Sequence, residues 1–123
     1  MMKQGTISFR SRLNSFGFAA RGILKFFQQE PNAWIHLVAT IAVFTSSVYF
    51  GISGFELLAL IIVTGFVWVA EMFNTVIERV MDFISPAYHT QVAFIKDLAA
   101  GAVLVSAIIA AITGLIVFIP KFF

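Results

Sequence analysis

The chain has 123 residues, 60% of them hydrophobic and only 11% charged, with a formal net charge of +2 and a mean hydropathy of +0.97. This composition lies outside the soluble globular range, offers no basis for a nucleic-acid partner, and describes one small integral membrane protein over residues 1–123. Cysteine is absent, which removes disulfides, thiolate metal sites and thiol nucleophiles. So short a chain has few elements from which to build a water-excluding site, so oligomerisation is expected.

From Phe9 to Phe27 the apolar residues Phe9, Leu13, Phe16, Ala20, Ile23 and Phe27 step by four and three, a stripe about 80° wide. The spacing predicts an amphipathic helix over about 9–28. Arg10, Arg12, Arg21 and Lys25 lie on its flank and opposite face, which suits a helix lying in an anionic headgroup layer. No short basic leader or small-residue cleavage site is present, so no removable signal peptide is expected. Pro31 then breaks the helix, since the residue before a proline disfavours helix and proline itself suits a first turn. Glu30 sits at that junction.

The first span is expected over 34–51, with Trp34, His36 and Tyr49 as interface-type residues. His36 is read as a satisfied interfacial histidine rather than a ligand. The turn Gly51-Ile52-Ser53-Gly54 has no lysine or arginine, so the positive-inside rule puts the N-terminus and the 79–97 region in the cytoplasm. A long helix is expected over 55–84, stopped at Ser85-Pro86. The loop 85–95 carries Tyr88 and His89, and Lys96-Asp97 opens a third span over 98–119. On that span Ala102, Ser106, Ala110 and Gly114 recur every four residues, a small-residue seam for close packing in lipid.

The costly feature is polar. Glu71, Asn74, Glu78 and Asp82 fall within an arc of about 80° on one helix, and a charge deep in a bilayer costs about 2.5–3.5 kcal/mol. If Phe55 marks one boundary, a hydrocarbon core of about 30 Å is crossed near Asn74 or Thr75, at about 1.5 Å per residue. Glu71 is then just inside the membrane, Glu78 at the headgroups and Asp82 in water. Glu30, Glu78 and Lys96-Asp97 bring charge to one layer from three elements. Such a layer suits a divalent metal bound to phosphate, with lysine as a compact countercharge. Glu71, deeper than the rest, is placed to accept a hydroxyl proton as general base.

Two bland readings compete. Polar groups can simply glue membrane helices together, and carboxylates can line the path of a small proton-linked transporter or belong to a non-enzymatic subunit. A transport path would carry polar groups across the outer half, where the chain has little beyond Thr45, Ser46, Ser47 and Thr64.

Glu-x-x-Asn-Thr-x-Ile-Glu-x-x-x-Asp at 71–82, Lys-Asp-x-Ala-Ala-Gly-Ala-Val-Leu at 96–104, Glu30-x-Asn32, Ile35-His36-Leu37 and Tyr88-His89 together resemble the small bacterial integral membrane diacylglycerol kinases and undecaprenol kinases. The resemblance spans nearly the whole chain. It implies an all-α homotrimer in the bacterial cytoplasmic membrane, with an N-terminal surface helix and three spans per subunit. The implied activity is transfer of the γ-phosphate of MgATP to a lipid alcohol, at sites between subunits on the cytoplasmic side. Glu71 would be the base, Glu30 and Glu78 the Mg²⁺ carboxylates, and Asn74 and Lys96 phosphate contacts. Asp82, Tyr88, His89 and Asp97 would be nucleotide-side or supporting groups, and either Arg10 or Arg12 would approach the nucleotide. Phosphates would be held by side chains and metal, since no glycine-rich phosphate loop of the soluble-kinase type is present. The chain departs from the family pattern at Val76, usually alanine, and at Phe94, frequently basic. Ala99-Ala100-Gly101-Ala102 leans towards the undecaprenol branch.

Overall fold

The computed structural model describes residues 8–123. These form four helices, α1 (Phe9–Gln29), α2 (Pro31–Tyr49), α3 (Gly54–Ile84) and α4 (Thr90–Phe122), and no strand occurs among the described residues. Helices α2, α3 and α4 are each long and apolar enough to cross a membrane. Much of their apolar surface is uncovered, with Val48 83% and Phe55 90% exposed. Such surfaces are unsustainable in water and ordinary in lipid.

The described residues fall into two compact units divided between Trp34 and Ile35. In the first, Ser8 caps α1 by accepting the Ser11 amide on its hydroxyl at 3.1 Å, which satisfies one of the orphan donors of the first turn. Glu30 is extended, as a residue before proline must be. Its amide still donates to the Phe26 carbonyl at 2.9 Å. Trp34 folds back so that its indole N–H donates to the Phe27 carbonyl at 2.9 Å, with the two rings edge to face. A carbonyl left over at the end of α1 is thereby satisfied.

In the second unit the turn after α2 is a Schellman motif. Gly51 takes φ +66°, the Ile52 amide reaches back to the Ser47 carbonyl at 2.9 Å, and the Gly51 amide reaches Val48 at 3.2 Å. Only glycine enters the left-handed region without a Cβ clash. The motif drops Ile52 onto Leu60 and Val117, and these three buried residues form the apolar core at this end of the bundle.

Helices α3 and α4 pack closely as an antiparallel pair, tied at one end by Lys121 to Glu56 (3.4 Å) and at the other by Lys96 to Asp82 (2.8 Å). Along either helix the two ties are about 38 Å apart, so they bracket a hydrocarbon layer of about 30 Å. Helix α2 joins this pair through longer side chains. The Trp68 indole donates to the Thr40 hydroxyl at 2.8 Å, and Phe50 packs edgewise on Phe118 and Phe122.

Two expectations need correction. The 85–95 loop is shorter than its composition suggests, because α4 begins at Thr90 with His89 as its cap, Nδ1 accepting the Gln91 amide at 3.0 Å. Histidine is not among the strong N-cap residues, so that start is hidden in the sequence. The small-residue seam is also only partly used within one chain: Ser106 is buried, whereas Ala102 is exposed and the buried positions of α4 are Ala99, Ser106 and Val117.

Candidate active site

Helix α3 sets out its polar residues on one face at positions 71, 74, 78 and 82, but the structure treats them unequally. Glu71 and Asn74 are buried, at 5% and 9% exposure. Asp82 is exposed, with 63% of its side chain in contact with solvent. The face therefore runs from a dry end to a wet end over about 16 Å.

At the dry end the Glu71 carboxylate meets an imidazole. His36 Nε2 lies 3.4 Å from Glu71 Oε2, joining α2 to α3 at a buried carboxylate. One turn on, the Asn74 amide nitrogen donates to Glu78 Oε1 at 3.4 Å. Because a carboxylate only accepts, that bond fixes the amide orientation and leaves the Asn74 carbonyl oxygen facing the other way. That oxygen is buried with no hydrogen-bond partner. An unmet buried acceptor costs about 1–3 kcal/mol, and a cation or donor on a ligand would remove the penalty.

At the wet end a cavity of about 280 Å³ lies between the end of α3 and the start of α4. It gathers Asp82, Tyr88, His89, Lys96 and Asp97, five of the residues singled out in the sequence. Lys96 stands ahead of the 98–119 crossing segment. Its hydrogen bond to Asp82 raises it above the ordinary lysine value; desolvation opposes this, and the charges of Asp82 and Glu78 reinforce it. It is a dependable cation for an anionic ligand.

Among the described residues no three His, Asp or Glu side chains gather into a metal cage. Mg²⁺ bound mainly through phosphate needs only one or two protein carboxylates. Glu78, with the unmet Asn74 oxygen beside it, fits that requirement. Glu30, Arg10 and Arg12 lie in the first unit, Glu30 at the α1–α2 junction and both arginines exposed in the first turn of α1. Val76 and Phe94 are both exposed.

The model of the family described as prokaryotic diacylglycerol kinase matches residues 17–118. The chain belongs to the prokaryotic diacylglycerol kinase family. Among the relatives of this diacylglycerol kinase family member, an undecaprenol kinase of Bacillus subtilis is 36% identical over 116 residues, covering 91% of this chain and 94% of the relative. A diacylglycerol kinase of Synechocystis is 33% identical over 109 residues, covering 88% of this chain and 62% of that longer relative.

The contact of His36 with Glu71 agrees with its reading as a satisfied histidine, but the sequence did not name the partner. An ionisable side chain inside a span is a functional candidate by default, but its partner depends on the vertical offset between α2 and α3, which the sequence does not contain.

Proposed function

We propose that this membrane lipid kinase transfers the γ-phosphoryl group of ATP to the hydroxyl of a membrane lipid alcohol, with undecaprenol preferred to diacylglycerol. The observation that carries the reading is the division between a buried carboxylate on α3, Glu71, and an exposed cavity beyond it where Lys96 stands among Asp82, Asp97 and His89. A lipid hydroxyl reaches the first from the bilayer, and a nucleotide reaches the second from water. The preference for undecaprenol rests on the end-to-end match with the undecaprenol kinase relative and on the Ala99-Ala100-Gly101-Ala102 run.

In this mechanism Glu71 accepts the proton of the lipid hydroxyl as its oxygen bonds to the γ-phosphorus and the bond to ADP breaks. Phosphoryl transfer of this kind is mostly a matter of positioning and charge. The Lys96 ammonium and the second N–H of the Asn74 amide donate to phosphate oxygens, while Asp82, Tyr88, His89 and Asp97 form the nucleotide side. His89 can offer only Nε2, since its Nδ1 caps α4. Glu78 and Glu30 would hold Mg²⁺, which would supply positive charge to the phosphate oxygens. Arg10 or Arg12 approaches the nucleotide. Helix α1 lies in the cytoplasmic headgroup layer, and the protein works as a homotrimer with its sites between subunits.

The polar groups of the opposite half give no support to a transport path. In that half Ser47 and Thr113 each donate to a carbonyl of their own helix, those of Val43 and Ile109. The test is transfer from labelled ATP to a panel of lipid alcohols by purified protein. Phosphorylated undecaprenol in excess over phosphorylated diacylglycerol is expected. The absence of any lipid product would refute the kinase chemistry, and the reverse order would refute only the preference.

A further inference from the structure

Helices α2 and α3 run antiparallel and are pinned by two rungs one turn apart. One is His36 Nε2 to Glu71 Oε2, 3.4 Å; the other is the Trp68 indole to the Thr40 hydroxyl, 2.8 Å. The rungs share a backbone link, because the Thr40 hydroxyl donates to the His36 carbonyl at 2.7 Å. The His36 ring also lies 6.0 Å from the Trp68 ring, tilted by 57°. The imidazole is therefore held by its own backbone, by an aromatic neighbour and by the carboxylate it faces.

On its other side His36 lines a largely apolar cavity of about 190 Å³ between the three spans. There α4 contributes only Ala107 and Ala110, and α3 contributes Thr64, Val67 and Trp68. None of these is titratable. Within the 35–123 unit, the ionisable group facing His36 is Glu71.

From this geometry we infer that His36 is a positioning residue for the Glu71 carboxylate. Its ring Nε2–H donates to Oε2 and fixes the carboxylate plane against the lipid hydroxyl. This inference rests on the lipid-kinase reading and assigns that site a further residue. A contact of 3.4 Å is long for a hydrogen bond, as such contacts often are before substrate tightens them. The proton balance is unchanged by it. The hydroxyl proton goes to Glu71, the lipid oxygen bonds to phosphorus, ADP leaves, and His36 keeps its own proton throughout.

A glutamate side chain is long and flexible, and a displacement of about 1 Å at a reacting group costs about 10²-fold in rate. Mere glue between helices would instead affect stability and leave turnover alone.

The experiment compares wild type, His36→Leu and His36→Gln in steady-state lipid phosphorylation. Glutamine retains an N–H donor of similar reach, while leucine does not. The expected result is a kcat about 10–10²-fold lower for His36→Leu, a KM for MgATP within about twofold of wild type, and recovery in His36→Gln to within about threefold. A fully active His36→Leu, a His36→Gln as slow as His36→Leu, or a KM for ATP rising in parallel would overturn the role. A leucine variant that does not fold leaves two deciding measurements. One is the activity of His36→Gln, which must stay within the same threefold range. The other is the ¹⁵N resonance of His36 Nε2, which must move when Glu71→Gln is introduced; a resonance that stays in place removes the contact. Wild type inactive on every lipid alcohol would remove the kinase reading and this role with it, whereas an active wild type with an unaffected His36→Leu removes only the role.

Discussion

Of the acid–base pairs that tie α3 to its neighbours, the two on its polar face differ in almost everything but chemistry. Lys96 and Asp82 meet at 2.8 Å in water, with side chains 35% and 63% exposed. His36 and Glu71 meet at 3.4 Å, with side chains 21% and 6% exposed. An exposed ion pair contributes about 0–1 kcal/mol, because water and salt screen it and its long side chains lose entropy. A carboxylate inside a bilayer is costly whatever it touches. Neither pair is therefore explained by stability alone. In the mechanism we propose, the exposed pair holds a cation for the nucleotide and the buried pair holds a carboxylate for the lipid hydroxyl.

The sharpest way to break this division is at its dry end. Glu71→Gln preserves shape and removes the basic oxygen, so lipid phosphorylation should fall by about 10²-fold or more, measured as initial rates with labelled ATP. At the wet end, Lys96→Met should raise the KM for MgATP about tenfold, the loss of one charge-assisted contact, and leave the thermal midpoint close to wild type. An equal fall in kcat with unchanged KM would move Lys96 from nucleotide binding to the chemical step.

Asn74 lies between the two zones and separates function from stability. Asn74→Leu removes a buried acceptor that has no partner together with the 3.4 Å bond to Glu78. The two effects oppose each other, so thermal unfolding in detergent should show stability within about 1 kcal/mol of wild type, while activity falls about tenfold or more. Lost stability together with lost activity would make Asn74 structural. The smallest effect is expected at the second rung. Trp68→Phe loses the bond to Thr40 and should cost about 0.5–1.5 kcal/mol, with kcat within about threefold.

The helices were legible in the sequence because hydrophobic runs and breakers are local. The turn at Gly51, the stop at Ser85-Pro86 and the Glu30-Pro31 break all lie where backbone rules put them. The start of α4 was not legible, since it depends on a histidine acting as a cap. The polar face of α3 could be read from spacing alone, but the depth estimate set Glu78 level with Lys96-Asp97, whereas Lys96 pairs with Asp82, one turn farther on. The partner of Glu71 could not be read from the sequence. It is set by how α2 and α3 slide past one another, a tertiary variable fixed here by Trp68 on Thr40 and by the Phe50 rings at the far end. The inequality along the face, with Asn74 buried and Asp82 exposed, likewise follows from packing rather than from pattern.

The central claim is that one helical face keeps lipid chemistry apart from nucleotide binding. Titration of a fluorescent ATP analogue against Glu71→Gln, with Mg²⁺ present and beside wild type, tests it most directly. The account predicts a dissociation constant within about twofold of wild type in a variant whose phosphate transfer is about 10²-fold or more slower. Loss of nucleotide binding together with transfer, or transfer that survives the substitution, would contradict it.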